Sequence, residues 1–176
     1  MTATTLPPVV GLDPSLTATG IARPDGTMHT VGGDAKLGDQ RLARIADFVE
    51  RVLIEDRPLL AVLEDLPAHA QAGGITGMAQ GVVRLALQRA GVPYVRVVAS
   101  SLKKYATGKG NATKADMRMA LYQRFGIDVK DDNQVDAWWL RAMGLDRLGR
   151  PLVVLPQANR ASLAKAEWPA LALEAL

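Results

Sequence analysis

Three acidic segments constrain this sequence more than any other feature. They are Gly11-Leu12-Asp13-Pro14-Ser15, Val62-Leu63-Glu64-Asp65 and Asp132-Asn133-Gln134-Val135-Asp136. Each carboxylate lies at the edge of an apolar run, where a bare charge is costly unless a cation meets it. The pattern therefore predicts a fold that gathers these carboxylates around divalent metal ions.

The composition fits one compact domain without disulfides or thiolate chemistry. The chain has 176 residues, 48% of them hydrophobic, and no cysteine. We expect one domain over residues 1–150 and a C-terminal tail, residues 151–176, packed on it. Without cysteine, any metal must be held by oxygen or by the two histidines. No apolar run reaches the ~20 residues of a membrane span and no signal peptide is recognisable, which predicts a soluble, cytoplasmic protein.

A basic stretch follows the second acidic segment. The net charge is only +3, but residues 96–124 carry far more cations than acids. The cations expected to contact a substrate are Lys103, Lys104, Lys109, Lys114 and Arg118. Such residues beside an acidic metal site are expected when the substrate is a polyanion that must approach carboxylates. A solvated helix face is the alternative interpretation.

Apolar periodicity and turn residues predict the order of the elements. Strands are expected at residues 9–13, 18–23 and 27–31, as an antiparallel meander, and at 59–64 and 94–98. Helices are expected at residues 39–55, 78–90, 100–106, 113–125 and 132–143. The glycine-rich residues 72–77 are expected to form a loop before the second helix. This order fits an α/β domain with a mixed sheet flanked by helices.

These elements bring the acidic segments to one edge of the sheet. Asp13 ends the first strand and Glu64 ends the fourth, so neighbouring strands would present both carboxylates together. Asp132 and Asp136 are four residues apart and share one face of the last helix. Carboxylate oxygens suit Mg²⁺ or Mn²⁺, and a pair of such ions promotes phosphodiester hydrolysis. The residues thus predict a metal-dependent phosphodiesterase that leaves a 5′ phosphate.

Structural roles for the same residues stay open. Asp13 is followed by proline, a pair that is also typical of a turn. Asp132 or Asn133 is expected to cap the last helix, a role that only one of them can take. Glu64 and Asp136 have no comparable structural role, because one lies on a buried strand and the other inside a helix. Asp13, Glu64 and Asp136 therefore rank above Asp132 as metal ligands.

Four segments together resemble the RuvC family of Holliday-junction resolvases, members of the ribonuclease-H-like superfamily. They are Val10-Gly11-Leu12-Asp13-Pro14-Ser15 with Thr19-Gly20 after it, Ala61-Val62-Leu63-Glu64, Thr107-Gly108-Lys109-Gly110-Asn111-Ala112-Thr113-Lys114, and Asp132-Asn133-Gln134-Val135-Asp136-Ala137. They occur in the family's order and at family-like spacing. The resemblance spans roughly residues 9–143 and is closest to phage-borne versions.

The resemblance implies a five-stranded ribonuclease-H-like sheet and paired cleavage of four-way DNA junctions. It also implies Mg²⁺ or Mn²⁺, two ions per active site, and activity in a bacterial cell or a phage-infected host. In relatives, the helix that corresponds to residues 78–90 helps to form a homodimer. Such a dimer suits the near two-fold symmetry of the substrate.

The resemblance also assigns roles to residues. It selects Glu64 over its neighbour Asp65 as a ligand, and it gives Lys114 the role of neutralising charge on the scissile phosphate. The family usually carries an acid or histidine where this chain has Asn133, so either Asn133 or Asp132 is expected as the fourth ligand. An aromatic residue can follow the glutamate in relatives, whereas this chain has a segment that ends in His69, a further candidate DNA contact.

Two other functions remain open. The first acidic segment with Thr19-Gly20 also resembles the first phosphate loop of the actin and sugar-kinase superfold, although the chain is short for a two-lobed cleft. A module that binds junctions without cutting them is the third candidate. Carboxylates held near bound phosphates without metal would repel them, which argues against that module. The choice between junctions, forks and flaps, and the identity of any branch-migration motor, are not predicted.

Overall fold

A mixed five-stranded sheet forms the centre of the computed structural model, which describes residues 6–66 and 73–171. The strands are β1 (Val9–Asp13), β2 (Ala18–Ala22), β3 (Met28–Gly32), β4 (Leu60–Asp65) and β5 (Tyr94–Val98). Their order in the sheet is β3-β2-β1-β4-β5. The first three strands form an antiparallel meander, whereas β4 runs parallel to β1 and β5 parallel to β4. The predicted meander and mixed sheet are confirmed.

Helices cover both faces of this sheet. They are α1 (Gln40–Asp56), α2 (Gly73–Arg89), α3 (Ala99–Thr107), α4 (Lys114–Phe125), α5 (Asp132–Arg147) and α6 (Gln157–Arg160), with 3-10 turns at Ala35–Leu37 and Ala161–Lys165. Because strand residues alternate between faces, β1 and β4 supply apolar side chains to two cores, one under α1 and α2 and one under α3, α4 and α5. None of the helices in the described ranges is long and apolar enough to cross a membrane.

Two predicted helix boundaries were wrong. The glycine-rich segment predicted as a loop is helical from Gly73, because α2 is anchored by buried Ala79, Val83 and Leu87. Continuing an anchored helix outweighs the cost of glycine, about 1 kcal/mol per residue. At the other end of the chain, α5 extends to Arg147 because its last turns stay buried.

Two glycines let α5 lie directly on the sheet. A Cβ atom at Gly11 of β1 would lie 1.9 Å from the carbonyl oxygen of Ala137, and one at Gly20 of β2 would lie 2.0 Å from the carbonyl oxygen of Asn133. Only a hydrogen atom fits at either position. Backbone therefore packs on backbone, and the first turns of α5 meet the end of β1.

The residues after α5 fold back over the core. Asn159 donates its side-chain Nδ2 to the carbonyl oxygen of Tyr105 in α3 at 2.9 Å. Trp168 donates its Nε1 to the carbonyl oxygen of Leu163 at 2.7 Å, and its ring packs on the core under α5. Trp168 therefore has a packing role.

Candidate metal centre and nucleic-acid interface

Three carboxylates converge where β1 and β4 end and α5 begins. They belong to Asp13, Glu64 and Asp136, and one oxygen of each lies within 4.8 Å of the others. The parallel pairing of β1 with β4 places the first two side by side. The close approach of α5 to the glycines of β1 and β2 adds the third. The structure thus brings together the three residues that ranked first as metal ligands, hereafter the acidic trio.

The surroundings of the acidic trio disfavour three negative charges. Burial, and then the charges of Glu64 and Asp136, raise the pKa of Asp13 well above its ordinary value. Burial, and then Asp136, raise the pKa of Glu64 to about 7, while burial, and then Asp132, raise the pKa of Asp136 to about 6. Each charge makes the next one more costly. The trio is fully ionised at neutral pH only if a cation shares its space.

Two lysines bring positive charge to the acidic trio. Lys103 of α3 and Lys114 of α4 both act to lower the pKa values of Glu64 and Asp136. The Lys114 side chain is 74% exposed, so it is accessible to a polyanion. The sequence predicted a role at the scissile phosphate for Lys114 but only a general DNA contact for Lys103. The position of Lys103 in the short helix that directly follows β5 is the signal that would have placed it at the site.

The two candidates for a fourth ligand lie outside the trio. Asp132 pairs with Lys114, with 2.9 Å between its Oδ2 and the Nζ atom. Asn133 donates its side-chain Nδ2 to Asp131 at 3.2 Å and its backbone N–H to the same oxygen at 3.0 Å. Asp131, with extended backbone, is therefore the cap of α5. The prediction that Asp132 or Asn133 caps this helix was wrong, because the carboxylate one residue earlier reaches the free N–H group.

The other predicted DNA contacts are distributed over α3, α4 and the loop between them. Lys104 is half-buried and Lys109 is exposed. Arg118 donates its Nε to Asp128 at 2.9 Å, which holds its guanidinium group at the surface of α4. His69 lies outside the described residues. Of the predicted DNA contacts, Lys103 and Lys114 are the two whose charges act on the acidic trio.

One polar residue beside the site was not selected from the sequence. Gln80 of α2 is only 4% exposed, and its Nε2 donates to the backbone carbonyl oxygen of Glu64 at 3.0 Å. A single amide side chain within an otherwise apolar buried face of a helix was the available signal. Buried amides need partners, and this one has its partner on a residue of the trio.

The donor set of the site fits a hard divalent cation. All three groups are carboxylates, the ligand type that Mg²⁺ and Mn²⁺ prefer, and cysteine is absent from the chain. Their raised pKa values show that the fold assembles negative charge without neutralising it in full. The acidic trio therefore has the chemistry of a metal site.

Curated relatives resemble most of this chain. A protein of Anaeromyxobacter dehalogenans (strain 2CP-1) named crossover junction endodeoxyribonuclease RuvC is 31% identical over 162 residues, covering 86% of this chain and 85% of that protein. A protein of Saccharopolyspora erythraea with the same name is 31% identical over 176 residues, covering 93% of this chain and 86% of that protein. No family model matches the chain.

Solved structures share the fold. The structure of Thermus thermophilus RuvC superposes with a TM-score of 0.66 at 23% identity, covering 81% of this chain and 97% of that one. The same protein in complex with a Holliday junction substrate gives a TM-score of 0.68 at 22% identity, covering 81% and 96%. The predicted ribonuclease-H-like fold is confirmed. Since two curated relatives are 31% identical to this chain and are matched over 85% and 86% of their lengths, the chain belongs to the RuvC family.

Proposed function

We propose that this chain is a metal-dependent endonuclease that resolves Holliday junctions, or other branched DNA, by paired phosphodiester hydrolysis giving 5′ phosphates. The acidic trio is the observation that carries the proposal, because three half-buried carboxylates within 4.8 Å of one another need a cation that the chain does not supply in full. The names of the curated relatives and the junction complex of a similar structure support the same activity.

Asp13, Glu64 and Asp136 would hold Mg²⁺ or Mn²⁺, and we propose two ions per active site. When bound, such ions activate water and stabilise the leaving oxygen of a phosphodiester. An anionic DNA backbone can approach the three carboxylates only when their charge is compensated. The carboxylates therefore determine where a phosphate can be cut, because they hold the cation that compensates them. Asp132 or Asn133 remains the candidate for a further ligand, after a rotation that frees its side chain from its present partner.

The chain's own cations would orient the DNA backbone. Lys114 lies beside the acidic trio, and its ammonium group is paired with Asp132. An incoming phosphate would replace Asp132 as the partner of that ammonium group. This places a positive charge where negative charge develops on the scissile phosphate. Lys103 acts on Glu64 and Asp136 from α3, while Lys104, Lys109, Arg118 and His69 are proposed to contact phosphates farther along the arms.

A homodimer would supply the second of two symmetric cuts. One face of α2 carries Met78, 42% exposed, and Leu85, 50% exposed. Gly74 and Gly81 lie on the same face, where an added Cβ would meet no neighbouring atom. Small and apolar residues at positions 74, 78, 81 and 85 follow the spacing of a helix–helix seam. Sedimentation of the purified chain tests this, and a monomer at working concentration contradicts it.

The same proposal extends to domain organisation and location. Residues 1–150 would form the nuclease domain, with residues 151–176 as a tail of that domain. The packing of Trp168 supports this division. Action on branched DNA would take place in the cytoplasm of a bacterial cell or of a phage-infected host.

The test is cleavage of a labelled four-way junction and of a linear duplex made from the same arms, with Mg²⁺, Mn²⁺ or EDTA. We expect symmetric paired nicks on the junction with either metal and none with EDTA. Asp136→Asn should lower the rate more than ~100-fold, the upper range for residues that only support a ligand. The matched control is Asp47→Asn, an exposed carboxylate on α1. Nicking in EDTA, or an undiminished rate in Asp136→Asn, would contradict the proposal.

Binding without cleavage is the second candidate function. Tight junction binding with no nicks in either metal would favour it, and the absence of an acid at position 133 would then be the leading cause. The raised pKa values of the acidic trio weigh against this candidate, because a module that only bound DNA would gain nothing from costly buried carboxylates.

A further inference from the structure

The ladder of hydrogen bonds between β1 and β4 has a defined phase. The N–H group of Ala61 donates to the carbonyl oxygen of Pro93 at 2.9 Å, so this residue of β4 faces β5. In a parallel strand, successive residues direct their N–H and C=O groups to opposite neighbours. Leu60, Val62 and Glu64 therefore direct theirs toward β1.

The ladder stops at Glu64 because the next donor is missing. The pairing of β1 with β4 runs to Leu12 opposite Leu63 and ends there. Continued by one step, it would have the N–H of residue 14 donate to the carbonyl oxygen of Glu64. Residue 14 is proline, which has no N–H group. The sequence that places Asp13 at the end of β1 thus also removes a hydrogen bond from a residue of the acidic trio.

Gln80 makes the hydrogen bond that the ladder lacks. Its Nε2 lies 3.0 Å from the carbonyl oxygen of Glu64, and the residue is only 4% exposed. Its neighbours on α2, Ala79 and Val83, are fully buried against the sheet, so the base of this side chain is held in place. A donor on a packed helix therefore replaces a donor on a strand.

We propose that Gln80 is a positioning residue for the metal centre: its amide holds the end of β4, and so fixes the Glu64 carboxylate relative to Asp13 and Asp136. This rests on the proposed function. The end of β4 is paired with β5 on one side, where Glu64 lies opposite Val97, but beyond Leu63 it has no pairing with β1. Without Gln80 it would be held from one side alone, and the spacing between the three carboxylates would change. Residues that orient metal ligands in this way typically contribute 10- to 100-fold in affinity or activity.

The experiment measures Mn²⁺ affinity by titration calorimetry on the whole chain without DNA, together with thermal unfolding of the metal-free protein. Gln80→Met keeps the length of the side chain and removes the donor, and we expect Mn²⁺ to bind about 10-fold more weakly. The matched control is Gln123→Met, an exposed glutamine of α4, which should bind Mn²⁺ as the wild type does. Wild-type affinity in folded Gln80→Met would overturn the proposal.

A second variant separates positioning from general packing. Pro14→Ala in the Gln80→Met background returns an N–H group to the strand that faces Glu64. We expect this double variant to recover most of the lost Mn²⁺ affinity, because the missing donor is restored from the other side. If Gln80→Met lowers affinity and the double variant does not regain it, the hydrogen bond to Glu64 is not the cause and the proposal fails.

If Gln80→Met does not fold, the wild type still provides a test by NMR. The side-chain amide protons of Gln80 should exchange slowly with solvent, and their resonances should shift when Mg²⁺ is added. Exchange at the rate of a free amide would overturn the proposal.

Junction cleavage distinguishes failure of this proposal from failure of the proposed function. A wild type that binds Mn²⁺ but cuts no DNA contradicts the proposed nuclease, while a cutting wild type with an unaffected Gln80→Met contradicts only the role of Gln80.

Discussion

Helix α5 carries a carboxylate near each of its ends, half-buried at Asp136 and buried at Asp146, and the surroundings of the two differ in kind. At the C-terminal end, the fully buried side chain of Asp146 accepts a hydrogen bond from the Tyr105 hydroxyl at 3.1 Å and pairs with Arg160 at 2.7 Å. Ten residues earlier, ~15 Å along the axis, Asp136 faces Asp13 and Glu64. Within the described residues, no side-chain hydrogen bond or ion pair reaches the carboxylates of this trio.

The difference separates structural charge from functional charge. Asp146 obtains its hydrogen-bond and ion-pair partners from the chain itself, so it needs no ligand. The acidic trio meets like charges, and burial raises the pKa values of all three residues. A fold that keeps such a cluster carries a stability cost in the absence of metal, and binding of a cation removes that cost.

The largest effect is expected for Glu64→Gln, which removes one charge from the acidic trio. We expect cleavage of the four-way junction to fall more than ~100-fold, because a metal ligand is lost. The free energy of unfolding without metal should rise by about 2 kcal/mol. The reason is that folding raises the pKa of Glu64 to about 7, so its ionised form costs stability, and the neutral amide of glutamine removes that cost. Gel assays of cleavage and urea unfolding measure the two effects.

The neighbouring carboxylate provides the control for that variant. Asp65 pairs with Arg96 at 3.3 Å and lies on the other face of β4. Asp65→Asn should leave both cleavage and stability near wild-type values. Equal effects of the two substitutions would show that charge at this end of β4 matters in general, and the distinction between the two residues would be lost.

At the C-terminal end of α5, Tyr105→Phe should change the free energy of unfolding in the opposite direction. The variant removes a hydrogen bond to a buried carboxylate, and we expect the free energy of unfolding to fall by about 2 kcal/mol. Cleavage per folded molecule should not change. Tyr122→Phe, at a residue that is 55% exposed, is the control and should be neutral in urea unfolding. A stabilised Tyr105→Phe would mean that Asp146 is not satisfied by its present partners.

The charge on Glu64 should also make stability depend on pH. The folded-state pKa of Glu64 is raised from 4.5 to about 7, so the folded state binds this proton more tightly than the unfolded state does. Stability of the metal-free wild type relative to Glu64→Gln should therefore decrease as pH rises from 5 to 7.5, by about 1–2 kcal/mol. Denaturant unfolding at several pH values measures it, and saturating Mg²⁺ should reduce the decrease. A difference that is flat across this range would contradict the raised pKa.

The smallest effect on stability is expected for Lys114→Gln. Its ion pair with Asp132 is largely exposed, and such pairs contribute less than about 1 kcal/mol. Unfolding in urea should therefore differ little from wild type. Cleavage should fall about 10-fold or more, because charge on the phosphate is less well compensated. Lys165→Gln is the control for both measurements, because Lys165 is an exposed cation in the 3-10 turn Ala161–Lys165.

Much of this architecture could be predicted from the sequence. The meander, the parallel strands and the acidic residues at their ends follow from apolar periodicity and turn residues, which act locally. Asp13 and Glu64 could be paired because both end strands, and Asp136 could be added because it lies inside a helix. Such inferences need only the type and direction of each element.

Other features depend on backbone geometry that no local pattern encodes. Three consecutive residues, Asp131, Asp132 and Asn133, all favour a capping position, and the point where the chain enters α5 decides among them. The role of Gln80 depends on the phase of the β1–β4 ladder and on a missing N–H group at Pro14. The approach of Lys103 to the acidic trio depends on where α3 leaves the sheet.

The contact of α5 with Gly11 and Gly20 has a consequence for how this protein tolerates mutation. Because backbone meets backbone there, the first turns of α5, which carry Asp136, can lie this close to β1 only while both positions lack a side chain. A larger aliphatic residue elsewhere in the two cores meets other side chains, which can repack at a cost of about 1–3 kcal/mol. Any side chain at either glycine would instead push the helix away and separate the ligands. The spacing of the metal ligands is therefore most sensitive to substitution at Gly11 and Gly20.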